Sequence, residues 1–114
     1  MAPREMSRAA RIAQNESLFR EANEKLRAKF ERDQDRETRL PFLCECANTR
    51  CTRVATLTLE EYAEVRADPA QFLTLPDHEE PETEVVVCEE QRYQIVHKKG
   101  EAADVAARLA PTGR

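Results

Sequence analysis

Apolar residues in the first third of the chain fall at Ile12, Phe19, Ala22, Leu26 and Phe30, at intervals of seven, three, four and four. That spacing keeps them on one face of an α-helix. Residues 4–39 hold no Gly or Pro and are rich in Ala, Arg, Glu, Lys, Gln and Leu, all good helix formers. The pattern predicts one long helix over 4–39. Glu21 with Lys25 and Glu24 with Arg27 add opposite charges at helical spacing. The apolar stripe is thin, and Asn15 interrupts it. At the helical rise, such a rod is about 50 Å long. A small domain cannot cover all of it, so part is expected to project or to pair with a second copy as in a coiled coil.

Pro41 ends this helix, because the residue before a proline is pushed out of the helical region. Phe42 and Leu43 begin an apolar stretch, and Ala47-Asn48-Thr49 reads as a turn in which Asn48 takes the unusual backbone angle. Val54, Ala55 and Leu57 suggest a short strand. Thr58-Leu-Glu-Glu61 is a capping box that opens a helix over about 58–67, stopped by Asp68-Pro69. Phe72, Leu73 and Leu75 form a short extended or one-turn segment before the polar loop 76–81. The β-prone run 84–88 and the alternation over 93–98 predict a β-hairpin at about 84–98. Ala102, Val105, Ala106 and Leu109 line one side of a last helix at about 101–109. The pattern predicts an α+β fold with a short antiparallel sheet of at most three strands and two flanking helices. It divides the chain into a helical arm (1–39), a small α+β domain (40–110) and a frayed tail (111–114).

Composition changes this picture in one respect. Only 5% of the 114 residues are aromatic, 35% are charged, and there is no Trp. So lean a chain buries little apolar surface, and a metal or a partner is expected to supplement its core. The net charge is −4 and unevenly spread: 1–39 carries ten Lys/Arg against eight Asp/Glu, and 40–114 eight against fourteen. An acidic body argues against a broad nucleic-acid surface. No apolar run approaches the roughly 20 residues of a membrane span, and Met1 to Ala10 lacks the core of a secretory signal. A cytoplasmic setting is therefore expected, where closely spaced cysteines are metal ligands or reactive thiols more often than disulfides.

Cys44-x-Cys46-x₄-Cys51 places three thiols within eight residues of a polar loop. Thiolates are soft donors suited to zinc, which structural sites close with four protein ligands. His78, in a loop bracketed by Pro76 and Pro81, is the first candidate for the fourth. Cys88 is the fallback, and His97 the third choice. Asp77 or Glu79 is a candidate to support the His78 ring. Competing readings are buried structural thiols, or a redox switch with Arg50 and Arg53 lowering a thiol pKa. Glu79, Glu80, Glu82 and Glu84 read as a solvated acidic face. No motif for nucleotide binding or nucleophilic catalysis is present.

Ala13 to Glu24, Pro41-Phe-Leu-Cys-Glu-Cys46 with Cys51, Leu57-Thr-Leu-Glu-Glu-Tyr62 and Val65-Arg-Ala-Asp-Pro69 resemble a group of small, uncharacterised bacterial proteins. That group carries Gly-His-Glu where this chain has Asp77-His78-Glu79. The resemblance covers most of the chain and implies a bacterial cytoplasmic setting, without an activity. The resulting expectation is a non-enzymatic regulatory or adaptor protein, stabilised by structural zinc on Cys44, Cys46, Cys51 and His78. Its helical arm would meet a protein partner or a second copy. The alternatives are a thiol-based redox sensor or small metalloenzyme using the cysteine cluster, and a nucleic-acid-binding regulator acting through Arg4, Arg8 and Arg11.

Overall fold

The computed structural model describes residues 7–33 and 38–110. Three helices and five strands follow in the order α1 (Arg8–Arg32), β1 (Leu40–Leu43), β2 (Val54–Leu57), α2 (Leu59–Val65), β3 (Gln71–Thr74), β4 (Glu84–Glu89), β5 (Gln94–Lys98) and α3 (Gly100–Arg108). The fold is α+β, as the residue pattern indicates. None of the described helices is long and apolar enough to cross a membrane.

The long helix is shorter than its composition suggests. Ser7 caps its start, its Oγ accepting from the Ala10 N–H at 3.0 Å. Asp33 caps its end. The outer parts of the expected helix, 4–6 and 34–37, lie outside the described residues, as does the tail 111–114. The buried face also differs from the expected stripe. It is formed by Ala10, Ile12, Ala13, Glu16, Ser17, Arg20 and Asn23. Four of those seven are polar or charged, which is why an apolar period could not reveal them. Ala10 and Ala13 pack on Ala102 and Val105 of α3, small residues that let two helices approach closely. Farther along, Leu26 and Phe30 lean on the main core, Phe30 meeting Phe42 edge-on at 5.6 Å.

The strands form two sheets rather than one. β1 pairs antiparallel with β2, Leu40 opposite Leu57 and Leu43 opposite Val54. The other sheet runs β3-β5-β4, all antiparallel. Two of the five strands were not expected as such. β1 contains Pro41, and β3 is four residues long, so neither carries the alternation that marks a strand. The capping box at α2 is present in both directions, Thr58 Oγ1 accepting from the Glu61 N–H and the Glu61 carboxylate from the Thr58 N–H.

The main core gathers Phe42, Ala55, Leu57, Leu59, Tyr62, Val65, Leu73, Tyr93 and Ile95. Phe42 and Tyr62 stack face to face at 4.3 Å. The core thus lies between the two sheets, under α2. A second buried cluster is ionic. Lys98 Nζ on β5 lies 2.6 Å from Glu16 of α1 and 2.7 Å from Glu84 of β4, and donates to Thr83 Oγ1 at 2.8 Å. All three charged side chains are fully buried. Two carboxyl groups facing one ammonium leave an excess negative charge out of water unless a proton stays bound. Burial first, then the neighbouring Glu84, pushes the Glu16 carboxyl up to about 9. The proton therefore resides on Glu16 at neutral pH.

Candidate metal centre

The three cysteines sit on the connection between β1 and β2. Pairing of the hairpin runs one step past β1, with the Cys44 N–H donating to the Arg53 carbonyl at 3.1 Å. Between the two buried thiols, Glu45 turns the opposite way and is fully buried. In an extended segment alternate side chains point to opposite sides, so an inward Glu45 sends Cys44 and Cys46 together to the other face. The Glu45 carboxylate accepts four hydrogen bonds: from Asn23 Nδ2 at 2.8 Å, Tyr62 Oη at 2.8 Å, Arg66 Nη2 at 2.9 Å and the Leu73 N–H at 2.9 Å. Its own N–H donates to the Leu73 carbonyl at 2.7 Å. Asn23 extends the same anchoring. Its amide pairs with both backbone groups of Leu43, donating at 2.8 Å and accepting at 2.7 Å, as a neighbouring strand would.

The loop then reverses at Asn48, by a different device from the one expected. Among the described residues, Asn48 is not a positive-φ position. Its side chain makes the turn instead, Oδ1 accepting from the Arg50 N–H at 3.0 Å while its carbonyl accepts from the Cys51 N–H at 3.0 Å. The unusual backbone angle lies at Asp77, with φ 69°. The His78 N–H donates to the Leu75 carbonyl at 3.0 Å. Leu75-Pro76-Asp77-His78 is thus a turn with Pro second and a left-handed third residue, the place that ordinarily takes Gly. This turn follows β3 and delivers His78 to the cysteine loop.

His78 Nδ1 lies 3.5 Å from Cys44 Sγ and 3.9 Å from Cys51 Sγ. The ligand atoms of Cys44, Cys46, Cys51 and His78 all lie within 4.8 Å of one another, and the four can hold a metal ion. A tetrahedron with metal–sulfur bonds of about 2.3 Å and a metal–nitrogen bond of about 2.0 Å has edges of about 3.5–3.8 Å. The separation of His78 Nδ1 from Cys44 Sγ matches the short nitrogen–sulfur edge, and that from Cys51 Sγ, at 3.9 Å, is a few tenths of an ångström longer. The Leu75 N–H donates to Cys44 Sγ at 3.3 Å, a contact that stabilises negative charge on that sulfur.

The electrostatics of the bare cluster point the same way. The hydrogen bond with Cys46, and then burial, hold the Cys44 thiol far above its ordinary range. Cys46 is pulled down to about 5, first by the hydrogen bond from Cys44, with His78 and Cys51 contributing. Cys44 and Cys46 thus share one anion between them, with the proton held on Cys44. Three crowded thiolates require a cation among them. A cleft of about 270 Å³, lined by Cys46, Asn48, Asp77, His78, Glu79 and Glu80, borders the cluster and surrounds its approach with carboxylates.

The remaining candidates stand elsewhere. Cys88 is on β4, its Sγ 3.9 Å from the Glu90 carboxylate and its body against the main core. His97 contacts Asp68 at 3.1 Å and the Lys98 carbonyl at 2.6 Å. Glu79 accepts from Gln94 at 2.6 Å. Sequence reasoning missed Glu45 and Asn23, the two buried polar residues that hold the loop. Alternation around the Cys-Glu-Cys triplet was the signal that could have found Glu45; Asn23 had none. No protein-family model, curated protein or solved structure matches this chain.

Proposed function

We propose that this protein is a zinc-stabilised, non-enzymatic regulatory or adaptor protein. The observation that carries this reading is the convergence of three thiols and one imidazole, from two separate connections, to within 4.8 Å. The metal ties the β1–β2 loop to the β3–β4 connection, joining two sheets that share no strand pairing among the described residues. Soft thiolates select zinc over harder cations, and four protein ligands leave no open position for substrate or activated water. That closed shell supports a structural rather than a catalytic metal.

Contact with a partner would fall to the outward face of α1. Leu18 is 65% exposed there. With Ala22, Leu26 and Leu43 it lines a shallow groove rimmed by Lys25, Lys29 and Arg32. A nucleic-acid role draws less support, since Arg8 is already engaged by Glu80 and Glu82. The competing thiol-sensor reading rests on the half-buried Cys51 and the low pKa of Cys46.

Thiol labelling of zinc-loaded protein, with and without chelator, separates the two. Cys44, Cys46 and Cys51 should react slowly until the metal is stripped, and the melting temperature should then fall by at least about 10 °C. Rapid labelling of the loaded protein at these cysteines would favour thiol chemistry. Leu18→Lys should abolish any self-association or partner capture while leaving the metal content unchanged.

A further inference from the structure

Away from the thiol cluster, three guanidinium groups converge on one cleft of about 290 Å³, walled also by Glu24 and Asp68. Arg20 comes from α1, Arg27 from the next turns of the same helix, and Arg66 from the end of α2. Aromatic faces space them. Arg20 lies over Phe72 at 4.7 Å, Arg66 over Phe72 at 5.6 Å and over Tyr62 at 5.3 Å, and Arg27 over Tyr62 at 5.9 Å. Carbonyl acceptors fix the inner two. Arg20 donates to Pro69 at 2.7 Å and Ala106 at 2.8 Å, and Arg66 to Gln71 at 2.8 Å. These contacts hold the arginines in place before any ligand arrives.

The charges of the cleft are unevenly paired. Arg66 has Glu45 at 2.9 Å, and Arg27 has Glu24 at 3.6 Å and Glu31 at 3.4 Å. Asp68 is taken by His97 at 3.1 Å and by the Ala70 N–H at 2.8 Å. Arg20 is 1% exposed and, among the described residues, has no carboxylate within ion-pair distance. Arg20 Nε, Arg66 Nε and Arg66 Nη1 are buried with no acceptor among the described residues. Burial first, and then the neighbouring Arg66, lower the pKa of Arg20, which the charges of Glu45 and Glu24 only partly oppose. Capping carbonyls explain two of its donors and leave the charge unexplained.

We propose that this cleft is a binding site for a small oxyanion, a carboxylate or phosphate head group, held between Arg20, Arg27 and Arg66. Forked guanidinium donors match the planar or tetrahedral oxygens of such groups. The volume admits a head group with a few attached atoms. Glu24 and Asp68 on the walls oppose a second anionic group, which restricts the site to ligands carrying one.

The test is a titration of the zinc-loaded 114-residue chain with inorganic phosphate and, separately, with acetate, at ionic strength fixed with chloride. Binding is followed at the arginine Nε–Hε resonances. At least one anion should shift the Arg20 and Arg66 signals saturably. Arg27→Gln should weaken that binding about tenfold, by loss of one charged donor. Glu24→Gln should tighten it several-fold. Arg27 and Glu24 are each about a quarter exposed, so both variants should fold. Lys29→Gln, outside the cleft, should change nothing. The anion that saturates identifies the head group. Shifts that chloride reproduces, no saturation with either anion, or equal binding in Arg27→Gln would overturn the proposal.

Discussion

Two residues beside the ligands decide how well the metal loop is held. Asp77 occupies a left-handed angle just before His78. For a residue with a Cβ that angle costs about 1–2 kcal/mol, while Gly adds about 0.4–1 kcal/mol of unfolded-chain entropy. Strain relief wins, so Asp77→Gly should raise the stability of zinc-loaded protein by about 0.5 kcal/mol, measured by urea unfolding. Glu45 is the larger effect. Replacing it with Gln sets an amide N–H among Asn23 Nδ2, Arg66 Nη2 and the Leu73 N–H, which donate, and leaves only the Tyr62 hydroxyl able to turn and accept. Glu45→Gln should cost about 2–4 kcal/mol and weaken zinc retention, read from the same unfolding curves and from metal content after dialysis. The contrast shows what the chain discloses by itself. Cysteine and histidine advertise their chemistry by type, so the thiols could be named from spacing and His78 put first of three candidates from its proline-bracketed loop. Glu45 looks like a polar loop residue, because its meaning lies in four partners distant in sequence. Asn48 was the candidate for an unusual backbone angle, but packing gives that angle to Asp77 and lets Asn48 turn by its side chain.

Among the elements, the ion triad joining α1 to β4 and β5 sets a pH dependence. Glu16 holds its proton in the folded chain up to about 9, and releases it near the ordinary carboxylate value when unfolded. Its folded pKa is raised, so the folded chain binds more protons than the unfolded one between those values. Its contribution is complete below the unfolded value and is lost as pH rises through about 9. Stability of zinc-saturated protein should decline with rising pH across that window, up to about 9, by at most about 1.4 kcal/mol per pH unit. Glu16→Gln, which keeps a neutral side chain beside Lys98 and Glu84, should flatten that slope. A slope unchanged in the variant would remove Glu16 as its source. Nothing in the apolar period of α1 signals this role, since a buried Glu on a helix reads as a solvent-facing one until its Lys partner on β5 is placed. By contrast, α2 and α3 were legible, α2 from its capping box and α3 from its apolar side. β1 and β3 were not, since β1 holds Pro41 and β3 is buried on both sides at Phe72 and Leu73, so neither alternates.

For the molecule as a whole, we propose that a metal on Cys44, Cys46, Cys51 and His78 substitutes for core that so lean a composition cannot supply. The main core lies between two small sheets, and the cysteine–histidine cluster brings the connection of one beside the connection of the other, where a bound metal would clamp them. A folded state that depends on this clamp binds zinc far more tightly than the unfolded chain does, and gains stability accordingly. X-ray absorption at the zinc edge, on protein purified without added metal, tests this most directly. The expected spectrum shows one zinc per chain with three sulfur neighbours at about 2.3 Å and one nitrogen at about 2.0 Å. A shell of oxygen and nitrogen alone, or protein that folds with no zinc retained, would contradict it.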